Sequence, residues 1–365
     1  MKKTSVGIAK LVACLAAIVA VGCSVKTVDD AAQPIQTATA AAGMADDEKP
    51  TVAFVTNGIA AFWTVAEAGA NAAAKDFNAE VLIRMPQDTA DQKRILEELI
   101  NQNVAGVAVS PINSANQSDL LSQVAKSTNL ITHDADAPEV PERHAYIGMD
   151  NYIAGRMCGE LVKKAMPGGG EVMIFVGRLG QSNADLRRQG VIDELLNRSH
   201  DPTRRDPTGA VLQSPDSKYV VVDTKVDDFN AAQSKAQAED AIVGYENLGC
   251  MVGLFSYNPP AILEALARTK KLGQIKVVAF DEEFPTLQAI EDGTCAGTIV
   301  QDPYMYGYKS VELLAKLARG DRSLIPKEGK FIDLPGRVIT KENVGPFWDQ
   351  LKQRLGVTDT AASGG

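Results

Sequence analysis

The 365-residue chain is 45% hydrophobic, 23% charged and only 5% aromatic, with 37 Lys and Arg against 46 Asp and Glu for a formal charge of −9. At about 100–200 residues per domain this length is enough for two domains with sizeable cores, and the recurrent Leu, Ile and Val exclude a disordered chain. An acidic chain with no basic cluster is a poor nucleic-acid binder, and its overall charge does not steer phosphate-rich ligands, although a local anion pocket stays open to it.

Residues 1–10 carry Lys2, Lys3 and Lys10 without an acid, and 11–21 form a short apolar run. A bilayer span takes about 20 apolar residues, so this run has the proportions of a secretory signal. It ends at Ala20-Val21-Gly22-Cys23, which resembles the bacterial lipoprotein cleavage box, although Leu is more usual where Ala20 stands. The expectation is a lipoprotein signal peptide over 1–22 with Cys23 acylated; the alternative is an ordinary signal cleaved nearby, with Cys23 incidental. Residues 23–50, rich in Ala, Thr, Gln and Asp, read as a flexible tether. Cys14 falls in the signal, which leaves Cys158, Cys250 and Cys295. These allow at most one disulfide, lack Cys-x-x-Cys spacing, and are expected to pack as small buried hydrophobes.

From residue 51 short apolar runs alternate with segments of 3.6-residue periodicity. Strand 51–56 leads to helix 62–76, strand 79–85 to helix 90–101, and strand 105–109 to helix 116–126, followed by strands 129–133 and 146–149. Helix 151–165 ends at Pro167 and Gly168-Gly169-Gly170. The pattern restarts with strand 171–176, helix 183–197, strand 219–223, helix 231–246, strand 251–255, helix 260–269, strand 275–280, helix 286–291 and strand 296–301. Repeated strand–helix units require right-handed crossovers and a parallel sheet covered on both faces, so two runs predict two doubly wound α/β lobes. Residues 200–217 break the rhythm with Pro202, Pro207, Gly209 and Pro215 and read as a surface insertion. The tail 357–365 is small and polar and expected to be disordered.

Ligands of open parallel sheets bind beyond the carboxyl ends of the strands. The residues there are Asn57, Phe62 and Trp63 after the first strand, Ser110 after the third, and Asp134 and Asp136 after the fourth. The second run contributes Asn183, Arg187, Asp227, Asp228, Phe229, Asn258, Asp281 and Gln301. Asp, Asn, Gln and Arg can each engage two neighbouring hydroxyls, and an aromatic ring can cover the C–H face of a sugar, so the set suits a monosaccharide. Asn, Asp and Ser also favour turns and N-caps, which accounts singly for Ser110, Asn183 and Asp227. Phe62-Trp63 and Arg187 are not required by any cap.

The segment Thr56-Asn57-Gly58-Ile59-Ala60-Ala61-Phe62-Trp63 resembles the aromatic-pair loop of the ribose-type periplasmic sugar-binding proteins. Asp134-Ala135-Asp136-Ala137-Pro138, Tyr146 to Asn151, Asn183 to Arg187, Phe280-Asp281 and Val300 to Tyr304 follow in the family's order, and the similarity covers roughly 51–344. The resemblance implies a type I periplasmic binding protein fold: two doubly wound lobes joined by a hinge with three crossovers. By matching segments, 51–149 plus 302–334 form the N-terminal lobe and 150–301 plus 335–356 the other, whereas periodicity alone suggests one cut near Asp150. It further implies a substrate-binding protein serving an ABC sugar importer; joined to the lipoprotein signal, the expectation is a monomeric, lipid-anchored extracytoplasmic protein that delivers a monosaccharide to ABC permease subunits. In that family, residues matching Phe62 and Phe229 sandwich the ring, Trp63 walls the pocket, and Asp134, Arg187, Asn258, Asp281 and Gln301 hold hydroxyls. Ala135 stands where ribose binders carry Arg and Ser110 where they carry Asn, which argues against ribose itself. Asp136 is expected to compensate by reaching the pocket.

A nucleotide-dependent enzyme would show G-x-G-x-x-G after the first strand, but that turn is Asn57-Gly58-Ile59-Ala60-Ala61-Phe62, and Gly168-Gly169-Gly170 lies after a helix. A hydrolase has little to build on, because there are three His, no Gly-x-Ser-x-Gly elbow and no metal-spaced cluster. His144 reads as exposed, and His133, beside Asp134, as structural. Asp134 and Asp281 could be paired glycosidase acids, but a binding role suffices for them. No enzyme and no cofactor is therefore expected. A sensor that presents a sugar or signal molecule to a membrane receptor needs the same closed surface and remains the alternative to transport.

Overall fold

The computed structural model describes residues 44–45 and 48–357. The expected signal peptide, Cys23, and most of the expected tether and tail lie outside them. The chain begins with β1 (Thr51–Val55), α1 (Ala61–Asp76), β2 (Glu80–Arg84), α2 (Thr89–Asn101), β3 (Gly106–Val109), α3 (Ser114–Ser127), β4 (Asn129–His133) and β5 (Tyr146–Gly148). It continues through α4 (Asn151–Ala165), β6 (Gly170–Val176), α5 (Ser182–Leu195), β7 (Tyr219–Val226), α6 (Ala231–Gly244), β8 (Leu248–Gly253), α7 (Asn258–Arg268), β9 (Lys276–Phe280), α8 (Phe284–Glu291) and β10 (Gly297–Val300). The last elements are α9 (Pro303–Ala318), β11 (Phe331–Asp333), β12 (Arg337–Ile339) and α10 (Val344–Leu355).

Two six-stranded sheets result, ordered β11-β5-β4-β3-β1-β2 and β12-β10-β9-β8-β6-β7, with β12 alone antiparallel to its neighbour among the named strands. This is the expected pair of doubly wound lobes. The chain passes between them three times, at 149–151, 301–303 and 334–337. In each sheet the strand order reverses beside the first strand of the lobe, which opens a crevice at the carboxyl ends.

Period-two alternation sorts the side chains. Val52 and Phe54 of β1 face the core under α1 and α9, while Ala53 and Val55 face the one under α2 and α3. Likewise Val172 and Ile174 of β6 lie under α4 and α5, and Met173 and Phe175 under α6, α7 and α8. Helix starts follow side-chain chemistry: Asp88, Asn113, Asp150, Asn230 and Asp302 each accept a backbone N–H two or three positions into their helix.

Two helix pairs are in backbone contact. A Cβ on Gly155 of α4 would lie 2.1 Å from the Arg187 carbonyl oxygen of α5, and one on Gly190 would lie 2.2 Å from that of Tyr152. Gly69 of α1 and Gly307 of α9 are equally close to the facing helix, each 1.9 Å from a carbonyl oxygen. Glycine is the residue that permits these approaches.

The 200–217 insertion lies along the edge of the second sheet, where Leu212 and Val221 exchange backbone hydrogen bonds of 2.9 Å that cover exposed strand groups. It is tied down: fully buried Asp193 pairs with Arg204 and Arg198, and Arg188 donates to the Asp206 and Pro207 carbonyls. Cys158, Cys250 and Cys295 are free and buried, and burial pushes the Cys295 thiol up to about 12. They are the inert hydrophobes the spacing suggested. His144 is half-buried rather than exposed, its Nε2 being 3.0 Å from Asn129 Oδ1.

Candidate ligand-binding cleft

A cleft of about 580 Å³ lies between the carboxyl ends of the two sheets. Ten of the residues singled out from the sequence line it: Asn57, Phe62, Trp63, Asp134, Asn183, Arg187, Asp228, Phe229, Asp281 and Gln301. Phe62 and Trp63 open α1, edge to face at 4.8 Å, and Trp63 is fixed by Phe54 and His133. His133 is structural here: it stacks on Phe54 at 4.2 Å, its Nε2 lies 3.1 Å from the Val55 carbonyl oxygen, and burial lowers it to about 3, so it stays neutral.

Asp134 and Asp281 sit one residue past β4 and β9, both with left-handed φ, 59° and 65°. Asp tolerates that conformation better than a branched residue, and such local strain is a mark of functional positions. Asn57 Nδ2 and Ser110 Oγ both donate to Asp134 Oδ2, at 3.3 and 3.0 Å, while Gln301 Nε2 donates to Asp281 Oδ1 at 2.8 Å. Each carboxylate therefore keeps its other oxygen for the cleft. Burial raises both above the usual carboxylate range, Asp281 to about 6, and the nearby Arg187 opposes that rise.

Arg187 is 1% exposed. Its Nε donates to Asn151 Oδ1 at 2.9 Å, its Nη1 to the Leu254 carbonyl at 3.1 Å, and its guanidinium lies 4.0 Å from the Phe280 ring centroid. Nη2 is buried without a partner among the described residues. A chain of contacts through the hinge links this arginine to Asp134: Tyr146 OH donates to the Asp134 carbonyl at 2.9 Å and accepts from Asn151 Nδ2 at 3.4 Å. At the second crossing Tyr306 OH donates to Gln301 Oε1 at 3.0 Å.

Four of the residues singled out from the sequence, Ser110, Asp136, Asp227 and Asn258, do not line the cleft. Ser110 is fully buried behind Asp134, which it orients. Asp136 does not reach the pocket, because Arg143 grips both its oxygens at 2.7 and 2.6 Å. Asn258, at the start of α7, instead donates to Asp227 Oδ2 at 2.7 Å. Asp227 also accepts from Tyr257 OH and from the Phe229 N–H at 3.2 Å, so this cluster holds Phe229 at φ 63°, unusual for a bulky side chain.

The sequence reading passed over Ile112, Arg178, Gln181, Phe255, Tyr257 and Glu283, which also line the cleft. Phe255 and Tyr257 lie between the end of β8 and Asn258, within the strand-end stretch from which the sequence reading singles out Asn258 alone. Phe255 packs edge-on against Phe229 at 5.4 Å. The lining holds five carboxyl groups, of Asp88, Asp134, Asp228, Asp281 and Glu283, against two arginines, one of which, Arg178, pairs with Asp228 at 3.1 Å. That balance repels an anion. Among the described residues, no group of three or more His, Cys, Asp or Glu could hold a metal ion, and no helix is long and apolar enough to cross a membrane.

A family profile described as the periplasmic binding protein domain matches residues 51–322. The chain belongs to that family, with the type I fold. Among its relatives the chain is 24% identical to the xylose/arabinose-binding protein XylF of Sulfolobus acidocaldarius over 71% of this chain and 62% of that one. It is 24% identical to the D-ribose/D-allose-binding protein of Pseudomonas aeruginosa over 80% and 89%, and 25% identical to the ribose import binding protein RbsB of Escherichia coli over 60% and 68%. Among solved structures, an ABC transporter solute-binding protein of Burkholderia graminis in complex with D-arabinose superposes with a TM-score of 0.72 at 28% identity, covering 82% of this chain and 98% of that one. The glucose–galactose binding protein GanP of Geobacillus stearothermophilus, at 22% identity and a TM-score of 0.70 over 81% and 99%, shares the fold.

Proposed function

We propose that this periplasmic binding protein captures a neutral monosaccharide between its lobes and hands it to an ABC-type permease, without chemical conversion. The observation that carries the reading is the lining of the cleft: two buried carboxylates, a buried arginine with an unbonded Nη2 and several aromatic rings, with acids outnumbering arginines. Hydroxyls both donate and accept, so a polyol satisfies carboxylates and guanidinium together, whereas a phosphate meets repulsion. Phe62 and Phe229 would cover the apolar faces of the ring, and Asn57, Asn183 and Gln301 would fix neighbouring hydroxyls. The names of the relatives, which bind pentoses and hexoses, support the ligand class. Export by the N-terminal signal and anchoring through an acylated Cys23 complete the proposal. Ligand contacts made to both lobes at once favour the closed arrangement, and that closed surface is what a permease can distinguish.

Calorimetric titration with pentoses, hexoses and sugar alcohols tests this directly, alongside nucleotides. One or a few sugars should bind and raise Tm by mass action; heat from nucleotides with none from any sugar refutes the assignment.

Binding should also release protons. Burial raises Asp281 from its ordinary 3.8 to about 6, and ligand hydroxyls donate best to the ionised form, so affinity should decline as pH falls below about 6. Folding stability should follow the opposite trend, because the folded state holds this proton more tightly than the unfolded chain. Its stabilising contribution is thus complete below about pH 4 and lost as pH rises towards 6. Titrating the bound sugar in two buffers of different ionisation enthalpy should show proton release at pH 6 and almost none at pH 8. Equal heats at pH 6 would place the carboxylate outside the binding equilibrium.

A further inference from the structure

Gln181 caps the start of α5 on one lobe and makes no side-chain capping bond there, so its amide is free to reach elsewhere. Its Nε2 donates at 2.6 Å to the carbonyl of Ile112, which belongs to the β3–α3 loop of the other lobe. That carbonyl is held in place from behind. The Ile112 N–H donates at 3.1 Å to Oε1 of fully buried Gln92, whose Nε2 donates to the Thr56 and Ser110 carbonyls at 2.7 and 2.8 Å, tying down the loops after β1 and β3. Gln181 and Ile112 are only 8% and 7% exposed although they sit on opposite lobes and on loops remote in sequence from the three crossings. Both line the cleft, and Oε1 of Gln181 is buried without a hydrogen-bond partner among the described residues.

We infer that Gln181 is a clasp: its amide N–H ties the lobes together across the cleft, and its carbonyl oxygen accepts a hydroxyl of the bound ligand, so that the ligand tightens the tie. The Gln181–Ile112 hydrogen bond spans the two lobes, so it favours closure and is forfeited on opening. A bound hydroxyl that satisfies Oε1 adds a second contact available only in the closed form. The first half stands on the geometry alone; the second rests on the reading of the cleft as a sugar site.

The test compares the full chain with Gln181→Met, which keeps the side-chain length without the amide, and Gln181→Glu, which loses the donor and sets a charge against the Ile112 carbonyl. Spin labels at Asp119 on α3 and Asp240 on α6 report the separation of the lobes by pulsed electron resonance. Without ligand, both variants should raise the ratio of open to closed populations about 5-fold or more, the effect of one buried neutral hydrogen bond, with an unchanged far-UV circular dichroism spectrum. With D-arabinose as probe, the dissociation rate should rise by a similar or larger factor while the association rate changes little. Lobe separations identical to wild type in both variants overturn the clasp. A shift in the unliganded populations with unaltered D-arabinose dissociation overturns the ligand-reading half alone. If D-arabinose fails to bind even the wild type, the sugar assignment loses support for that ligand, and the unliganded measurement still decides the clasp.

Discussion

Replacing Arg187 by Ala should weaken sugar binding about 100-fold or more while leaving a folded, less stable protein. The guanidinium is 1% exposed and holds three things at once: Asn151 of α4, the Leu254 carbonyl after β8, and the faces of Phe280 and Phe255. Its removal strands Asn151 Oδ1 and the Leu254 carbonyl, at about 1–3 kcal/mol for each group left unpaired. It also removes the positive charge that opposes the rise of the Asp134 and Asp281 pKa values, so both carboxylates shift further towards the protonated form and are poorer acceptors for ligand. Truncating one member of a buried charged, hydrogen-bonded set typically costs about 2–5 kcal/mol of binding, so the dissociation constant should rise on the order of 100-fold or more. Arg187→Lys keeps the charge but cannot serve Asn151, Leu254 and a ligand from one planar fork, and should recover only part of the affinity. Calorimetry on both variants, with thermal unfolding alongside, checks this; wild-type affinity in Arg187→Ala would remove the arginine from the site.

Gly155→Ala should damage the same site from behind. A Cβ on Gly155 would lie 2.1 Å from the carbonyl oxygen of Arg187 itself, so α4 and α5 must separate at the residue that carries the guanidinium. Overpacking of a tight contact costs about 1–3 kcal/mol, and here the obstacle is backbone, which has little room to yield. Asn151, the Arg187 partner, lies on α4 one turn before Gly155, so a shift of the helices misaligns the pair as well. The expected result is a fall in Tm together with a roughly 10-fold or greater loss of sugar affinity, although the residue does not touch the cleft. Gly244→Ala, in α6 with nothing within 4 Å of its Cβ position, is the control and should be neutral or slightly stabilising. If Gly155→Ala unfolds at the wild-type temperature, the helix contact is softer than the structure shows.

Much of the architecture is local in origin. Strand 129–133 and helix 151–165 fall where the periodicity put them, and the other ends differ by a few residues, where caps decide: α3 begins at Ser114 because Asn113 caps it, ahead of the first apolar position. The strand-end inventory was readable for the same reason, since a parallel sheet sends every carboxyl end to one side. Phe62, Asp134, Arg187, Phe229, Asp281 and Gln301 converge on the cleft without any knowledge of their distances.

By itself the amino-acid sequence determined two runs of strand and helix and the chemistry placed at the strand ends, because hydrophobic period and turn preference act over a few neighbouring residues. Periodicity alone suggests one cut near Asp150; the return of α9 and β11 to the first lobe and of β12 to the second sheet, which only the family resemblance implied, is made physically by long-range pairing and helix contacts. Partner choice decided which side chains are tied up within the protein. Asp136 and Asn258 carry groups that suit a sugar, but Arg143 lies within reach of the first and Asp227 of the second, and a buried polar group bonds to whichever partner the fold brings to it. Gln181 was invisible for the complementary reason: its partner is a backbone carbonyl 69 positions away on the other lobe, which no side-chain pattern records.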